Sequence, residues 1–331
     1  MSDLKKYGNL NAGSTPNLDS YTHVRGESVY LDDIPLVSGT LFAAVFDSPI
    51  AHGKIRRLDL QEALNMKEVV RIFTAKDIPG INQIGGIVPD EELLAEDHVH
   101  FCGMPIALVI ATSEETAKAA LKKIKVEIEP LPVITDPREA KEKGELIIPP
   151  RTFNLGDIDN TWPTCDIIVE GRSETNGQEH LYIETQGAYA IPLENGGIRI
   201  YSSTQGPTAV QRTAARVLDL HMHQLEVDTT RLGGGFGGKE DQATTWGIMC
   251  ALATWHLKRP VKYSLHRMED MRMTGKRHPY SADFKIGLGK DLKILPMKLR
   301  FIKMQVQQPI FLLRLWKEHF FIAPTPILFP M

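Results

Sequence analysis

Residues 231–240 read Arg231-Leu232-Gly233-Gly234-Gly235-Phe236-Gly237-Gly238-Lys239-Glu240, five glycines around a single aromatic ring. Without a Cβ, glycine lets backbone N–H groups approach a ligand closely and lets φ turn positive. The run follows a strand-like segment (Leu225, Val227, Leu232) and precedes an apolar stretch from Ala243 to Leu257. A strand that feeds such a loop into a helix N-terminus makes a cradle for an anion or an oxo group. Three readings compete. The text nearly fits a phosphate-binding P-loop, with Gly233, four residues and then Gly238-Lys239, but a Ser or Thr should follow to hold Mg²⁺. Glu240 stands there instead, and its carboxylate would repel phosphates. A turn needed only for tight strand–helix packing is the plainest reading, and the ligand cradle is the third.

Two further groups carry polar chemistry. Ser203-Thr204-Gln205 closes a predicted hairpin just before Pro207, a residue suited to a first helical position. An amide there either meets a ligand or simply caps the helix. Glu179, His180 and Glu184 form the one dense cluster of histidine and carboxylates. On a strand, His180 and Glu184 would share a face and Glu179 would lie opposite. That pattern suits a hard divalent cation but lacks a third nearby ligand, so a structural network is the favoured reading. His52 has no partner at ligand spacing and also reads as structural.

Taken together, these segments resemble the xanthine dehydrogenase family of molybdenum hydroxylases. The decamer 231–240 resembles that family's cofactor loop, and Ser203-Thr204-Gln205 resembles its Ser-Thr-Gln. Gly177-Gln178-Glu179-His180-Leu181-Tyr182-Ile183-Glu184-Thr185 is similar to its Gly-Gln-Glu-His-Phe-Tyr-Leu-Glu-Thr segment. The resemblance implies Gln205 and Phe236 in the vicinity of molybdenum, with the backbone of Gly237 also binding the molybdenum–molybdopterin cofactor. It implies Glu240 at the substrate, favouring purines such as hypoxanthine and xanthine over aldehydes. The reaction implied is hydroxylation of an electron-poor ring carbon with water-derived oxygen, the electrons leaving through 2Fe-2S clusters and FAD. This chain shows no local iron–sulfur cysteine motif and no recognisable FAD segment, so those centres are expected on partner subunits of a heteromeric complex.

The elements that must position these residues give a mixed α/β fold class. Residues 1–22 read as an extended polar arm. Residues 23–133 read as a hammerhead-like α/β domain, with strands at Thr40–Phe46, Val69–Phe73 and Pro105–Ala111. Thr112-Ser113-Glu114-Glu115 reads as a capping box that opens a helix. Ile124, Val126 and Ile128 alternate with charged residues as a half-exposed strand. Residues 134–160 read as a linker, and residues 161–295 as the first part of a molybdopterin-binding domain. In that part the Asn195-Gly196 turn joins two strands of a hairpin. A helix with Val210, Ala214, Val217 and Leu218 on one face follows Pro207. Trp246, Met249, Cys250, Ala253 and Leu257 recur at helical spacing as core, and Met268-Glu269-Asp270-Met271 resembles another family passage.

Composition narrows the class. A net charge of -3 with 42% hydrophobic residues describes an ordinary globular protein with no basic excess for nucleic acid. The N-terminus lacks a signal peptide's apolar core, and no membrane span is read. Cys102, Cys165 and Cys250 are far apart and odd in number, which excludes a disulfide framework. All three read as small buried hydrophobes, and a reducing cytoplasm is the expected location.

The pattern breaks after Leu295. Residues 296–331 contain one acidic residue, Glu318, amid Phe, Leu, Ile and Pro. Read in a shifted frame, codons for residues 296–306 can encode a stretch that resembles the family's continuation, so a frame change at Leu295/Pro296 is expected. The family's general-base glutamate and a substrate-binding arginine lie further downstream. No catalytic residue is therefore expected in this chain, which is expected to be inactive alone; the alternative reading is a non-catalytic remnant that only binds partner subunits or a pterin. Loss of the base by itself costs about 10²–10⁴ in rate.

Overall fold

The computed structural model describes residue 17 and residues 19–86, 89–147 and 149–304. Most of the expected arm and the chain beyond residue 304 lie outside the described residues. The first part contains β1 (Leu41–Asp47), β2 (Gly53–Asp59), β3 (Val69–Phe73), β4 (His98–Val99), β5 (Pro105–Ala111) and β6 (Lys125–Pro130). The second contains β7 (Ile167–Thr175), β8 (Gly187–Pro192), β9 (Ile198–Ser202), β10 (Leu225–Asp228), β11 (Val261–Ser264), β12 (Tyr280–Leu288) and β13 (Ile294–Lys303). The helices are α1 (Ser20–Val24), α2 (Gln61–Leu64), α3 (Glu114–Leu121) and α4 (Pro137–Glu142), then α5 (Ile158–Thr161), α6 (Pro207–Leu218), α7 (Ala243–Leu257) and α8 (Arg267–Met273).

The largest sheet has seven strands in the order β10-β9-β8-β11-β1-β5-β3. It draws strands from both parts of the chain. The seam is the parallel pair Leu41↔Val261 and Phe42↔Lys262. β5 is buried along its whole length, as its unbroken apolar run requires of a central strand. Helix α7 lies against β8, β9 and β11. It is buried from Ala243 through Thr254 because its apolar residues surround the axis rather than forming one stripe. Helix α6 buries the predicted face, Val210, Ala214, Val217 and Leu218, against it.

Local chemistry sets several boundaries. Asn195 (φ 62°) and Gly196 (φ 79°) both adopt the left-handed conformation that the β8–β9 turn demands. Ser113 caps α3 by accepting from the Thr116 N–H, yet the reciprocal half of the expected capping box is absent. The third helical residue is Thr116, whose hydroxyl donates to Glu68 instead.

A three-stranded sheet, β13-β12-β7, stands beside the large one. β13 runs through Leu295 and Pro296, and its register with β12 continues to Tyr280↔Lys303. The segment read as a linker is pinned to this sheet. Asp136 caps α4, and the Arg138 guanidinium forks onto Asp283 at 2.7 and 3.2 Å and donates to Ser281 at 2.8 Å. The cysteines differ from expectation: Cys250 is buried, Cys165 is half-buried and Cys102 is exposed. Among the described residues, no helix is long and apolar enough to cross a membrane.

Candidate functional site

Strand β9 ends at Ser202, and the chain turns through Ser203-Thr204-Gln205 into α6. The glycine run enters from the other side, between β10 and α7. Two hydrogen bonds bring the segments together: Gln205 N–H donates to Lys239 O at 2.8 Å, and the Thr204 hydroxyl donates to the same oxygen at 3.1 Å. Gln205 then turns its side chain along the loop. Its Oε1 accepts from the N–H of Gly237 at 3.1 Å and of Lys239 at 3.3 Å. Two backbone donors fix the amide oxygen toward the loop, so its NH₂ group is the part left to donate outward. Gln205 is exposed, and that NH₂ has no acceptor among the described residues.

The glycines are required by contact. A Cβ on Gly235 would lie 2.5 Å from Gln205 Oε1, and one on Gly233 would lie 2.4 Å from Glu184 Cβ. Directly after Gly235 the chain displays Phe236, which is 75% exposed and holds φ at 49°. A bulky residue in the left-handed region is strained by about 1–2 kcal/mol, and such strain concentrates at functional sites. Among the described residues, the N–H groups of Gly234, Gly235, Phe236 and Glu240 find no hydrogen-bond acceptor. Glu240 is half-buried, and its carboxylate has no ion-pair or hydrogen-bond partner there either. Free N–H donors and an unpaired carboxylate on the glycine loop, with the Gln205 amide docked against it, suit an anionic or oxo-bearing group with a polar substrate beside it.

Lys239 corrects the P-loop reading. Its side chain is fully buried and points away from this face. The ammonium donates to Glu184 O (2.7 Å), Glu184 Oε2 (3.1 Å) and Ser203 Oγ (2.6 Å), which occupies all three of its protons. Burial lowers its pKa below the ordinary lysine value, and Glu184 opposes that shift. No proton remains for a phosphate.

The histidine–carboxylate cluster is not on a strand. Residues 179–186 form an irregular segment in which Glu179 pairs with Lys276 at 2.7 Å, His180 packs beside Gly238, and Glu184 enters the Lys239 network. Sequence spacing missed the layer behind the loop. Asp270 on α8, 1% exposed, accepts from Tyr182 Oη at 2.9 Å and from Gln186 N–H at 3.0 Å. Gln186 Nε2 donates to Tyr182 Oη and to Gly238 O, and its Oε1 accepts from Trp246 Nε1. Burial, assisted by Asp270, pushes the Tyr182 phenol pKa up. Tyr182 and Glu184 lie within the segment 177–185, and Asp270 lies within 268–271. Nothing in their spacing linked them, because Tyr182 and Asp270 are 88 residues apart.

Comparison with known proteins fits this geometry. The family described as "Molybdopterin cofactor-binding domain" matches residues 140–305, and "Aldehyde oxidase and xanthine dehydrogenase, a/b hammerhead domain" matches residues 25–132. The chain belongs to the xanthine dehydrogenase and aldehyde oxidase family. A xanthine dehydrogenase from Dictyostelium discoideum is 37% identical over 83% of this chain and 20% of its own length. Aldehyde oxidase 1 from Oryctolagus cuniculus is 39% identical over 85% of this chain and 21% of its own. The aldehyde oxidoreductase structure from Desulfovibrio gigas superposes with a TM-score of 0.81 at 28% identity, covering 89% of this chain and 35% of that one. The chain thus spans about a fifth of the length of these curated relatives. Family membership supplies the mixed α/β architecture, a hammerhead domain followed by a molybdopterin-binding domain.

Proposed function

We propose that this chain is the molybdenum-cofactor-binding part of a purine-hydroxylating enzyme of the xanthine dehydrogenase kind, in which Gln205, Phe236 and Gly237 hold the molybdenum–molybdopterin group and Glu240 meets the substrate. The observation that carries the reading is the docking of Gln205 Oε1 onto the Gly237 and Lys239 N–H groups, which commits the amide oxygen to the loop and leaves its NH₂ as the group able to donate to a ligand. When bound, the group supplies a two-electron oxidation that uses water-derived oxygen. The chain's own residues do the rest. The free N–H groups of Gly234, Gly235 and Phe236 and the Gln205 NH₂ hold oxo or anionic atoms, and the Phe236 ring shields that contact from water. The unpaired Glu240 carboxylate accepts from a purine N–H, an interaction that an aldehyde cannot return. Xanthine dehydrogenases and aldehyde oxidases are similarly close to this chain, so Glu240 alone favours purines.

In this reading the hammerhead segment is 23–133, 134–160 connects it, and 161–295 begins the cofactor domain. Iron–sulfur and FAD centres reside on partner subunits, in the cytoplasm. The proposed frame change at Leu295/Pro296 has β13 running through it, and sequencing the gene across this codon decides it. Molybdenum and pterin analysis of the purified chain tests cofactor binding. Stoichiometric metal supports the reading, and its absence under cofactor-replete expression overturns it. Hypoxanthine and aldehyde oxidation by a Glu240→Ala variant of the assembled enzyme tests the substrate: a selective loss on hypoxanthine is expected, and equal loss on both refutes the assignment.

A further inference from the structure

The three motif segments meet at one buried ion pair. Glu184 Oε2 accepts from Lys239 Nζ (3.1 Å), Ser203 Oγ (2.6 Å) and Gly233 N–H (2.8 Å), while Oε1 accepts from Leu31 N–H (3.4 Å). One carboxylate therefore ties both ends of the glycine loop, the residue two before Gln205, and a turn from the hammerhead segment. Lys239 Nζ also lies 4.4 Å from the centre of the Tyr182 ring, which leads to Asp270 behind it. Buried ion pairs are poor stabilisers, because desolvation offsets their attraction, and apolar residues of equal volume often do better. What such a pair does provide is fixed geometry.

We propose that Glu184 and Lys239 are positioning residues that hold the Gln205 amide at a set distance from the Gly234–Phe236 donors. The claim rests on the cofactor reading for what the loop binds, but the clamp itself is a property of this chain. Gly233 hangs on Glu184, while Gly237 and Lys239 hang on Gln205, so loss of the pair frees both ends of the loop at once. Helix α7 is held instead by its buried apolar residues against β8, β9 and β11.

The test uses the full chain with Lys239→Met, Glu184→Gln and the double substitution, read by hydrogen exchange, unfolding midpoint and molybdenum retained after gel filtration. Lys239→Met is expected to speed exchange within 231–240 by about tenfold or more while exchange in α7 is unchanged. Molybdenum retention falls with it. The double variant removes the uncompensated charge, so its midpoint recovers while loop exchange stays fast and retention stays low. If loop exchange in Lys239→Met equals wild type, or recovers with the midpoint in the double variant, the proposal is overturned. Should Lys239→Met fail to fold, Ser203→Ala removes a hydroxyl bridge from the same cluster: fast exchange at 231–240 supports the clamp, and wild-type exchange refutes it. Wild-type chain that retains no molybdenum refutes the cofactor reading, and the exchange results still decide the clamp.

Discussion

Gln205 Oε1 accepts a hydrogen bond from the N–H of Gly237 at 3.1 Å, across 32 residues of sequence. The approach exists because Gly235 has no side chain: a methyl there would stand 2.5 Å from the same oxygen. Gly235→Ala is therefore expected to expel the Gln205 side chain and destabilise the protein by about 1–3 kcal/mol. Gly144→Ala, where nothing lies within 4 Å of the added methyl, is the control, with only the strain of its positive φ to bear. Denaturant midpoints and molybdenum content of both variants check this, and equal behaviour would sink the steric argument.

Asp270 anchors the layer behind the loop. Asp270→Ala strands the Tyr182 hydroxyl and the Gln186 N–H in a dry interior, at an expected cost of about 2–4 kcal/mol. Asp270→Asn costs less, about 1–2 kcal/mol, because its oxygen can keep the Gln186 N–H and the Tyr182 hydroxyl can rotate to accept. Urea unfolding of the two variants should preserve that order.

His278 makes stability fall in mild acid. Burial, then the nearby Lys303 ammonium and His180, lower its pKa from 6.5 to about 4. Above pH 6.5 the ring is neutral in both states and contributes no pH dependence. As pH falls from 6.5 toward 4 the unfolded chain takes up the proton first, so stability drops across that window. The drop is about 1–2 kcal/mol after discounting for the ring's partial exposure. Comparing unfolding at pH 7 and pH 5 should show a smaller loss in His278→Gln than in wild type.

Thiol labelling follows the three environments. Cys102 is exposed and reacts first, and half-buried Cys165 follows. Cys250 lies fully buried on α7, where burial pushes its pKa up and suppresses the reactive thiolate. Its labelling is expected to track global unfolding, and rapid modification in the native state would contradict the packing of α7.

Much of this arrangement was legible in the residues. The unbroken apolar run predicts β5 over its observed range, the Ala243–Leu257 run predicts α7, and Asn195-Gly196 predicts the β8–β9 turn, because periodicity and turn chemistry act over a few residues. The glycine loop and Gln205 were legible as a pair through three motifs in family order. What spacing concealed was long-range: the parallel seam of β1 with β11, the fate of Glu184 and the role of Asp270. Lys239 was the hardest residue to read, since in one dimension it sits where a phosphate-binding lysine would. Only packing decides whether an ammonium faces solvent or an acid, and here the tertiary fold carries Glu184 and Ser203 against it, so its charge is spent inside the protein. Sequence alone determined which residues line the loop, because glycine's missing Cβ is a local property. The fold determined which way each one faces, because burial and pairing are set by chain segments far apart in sequence.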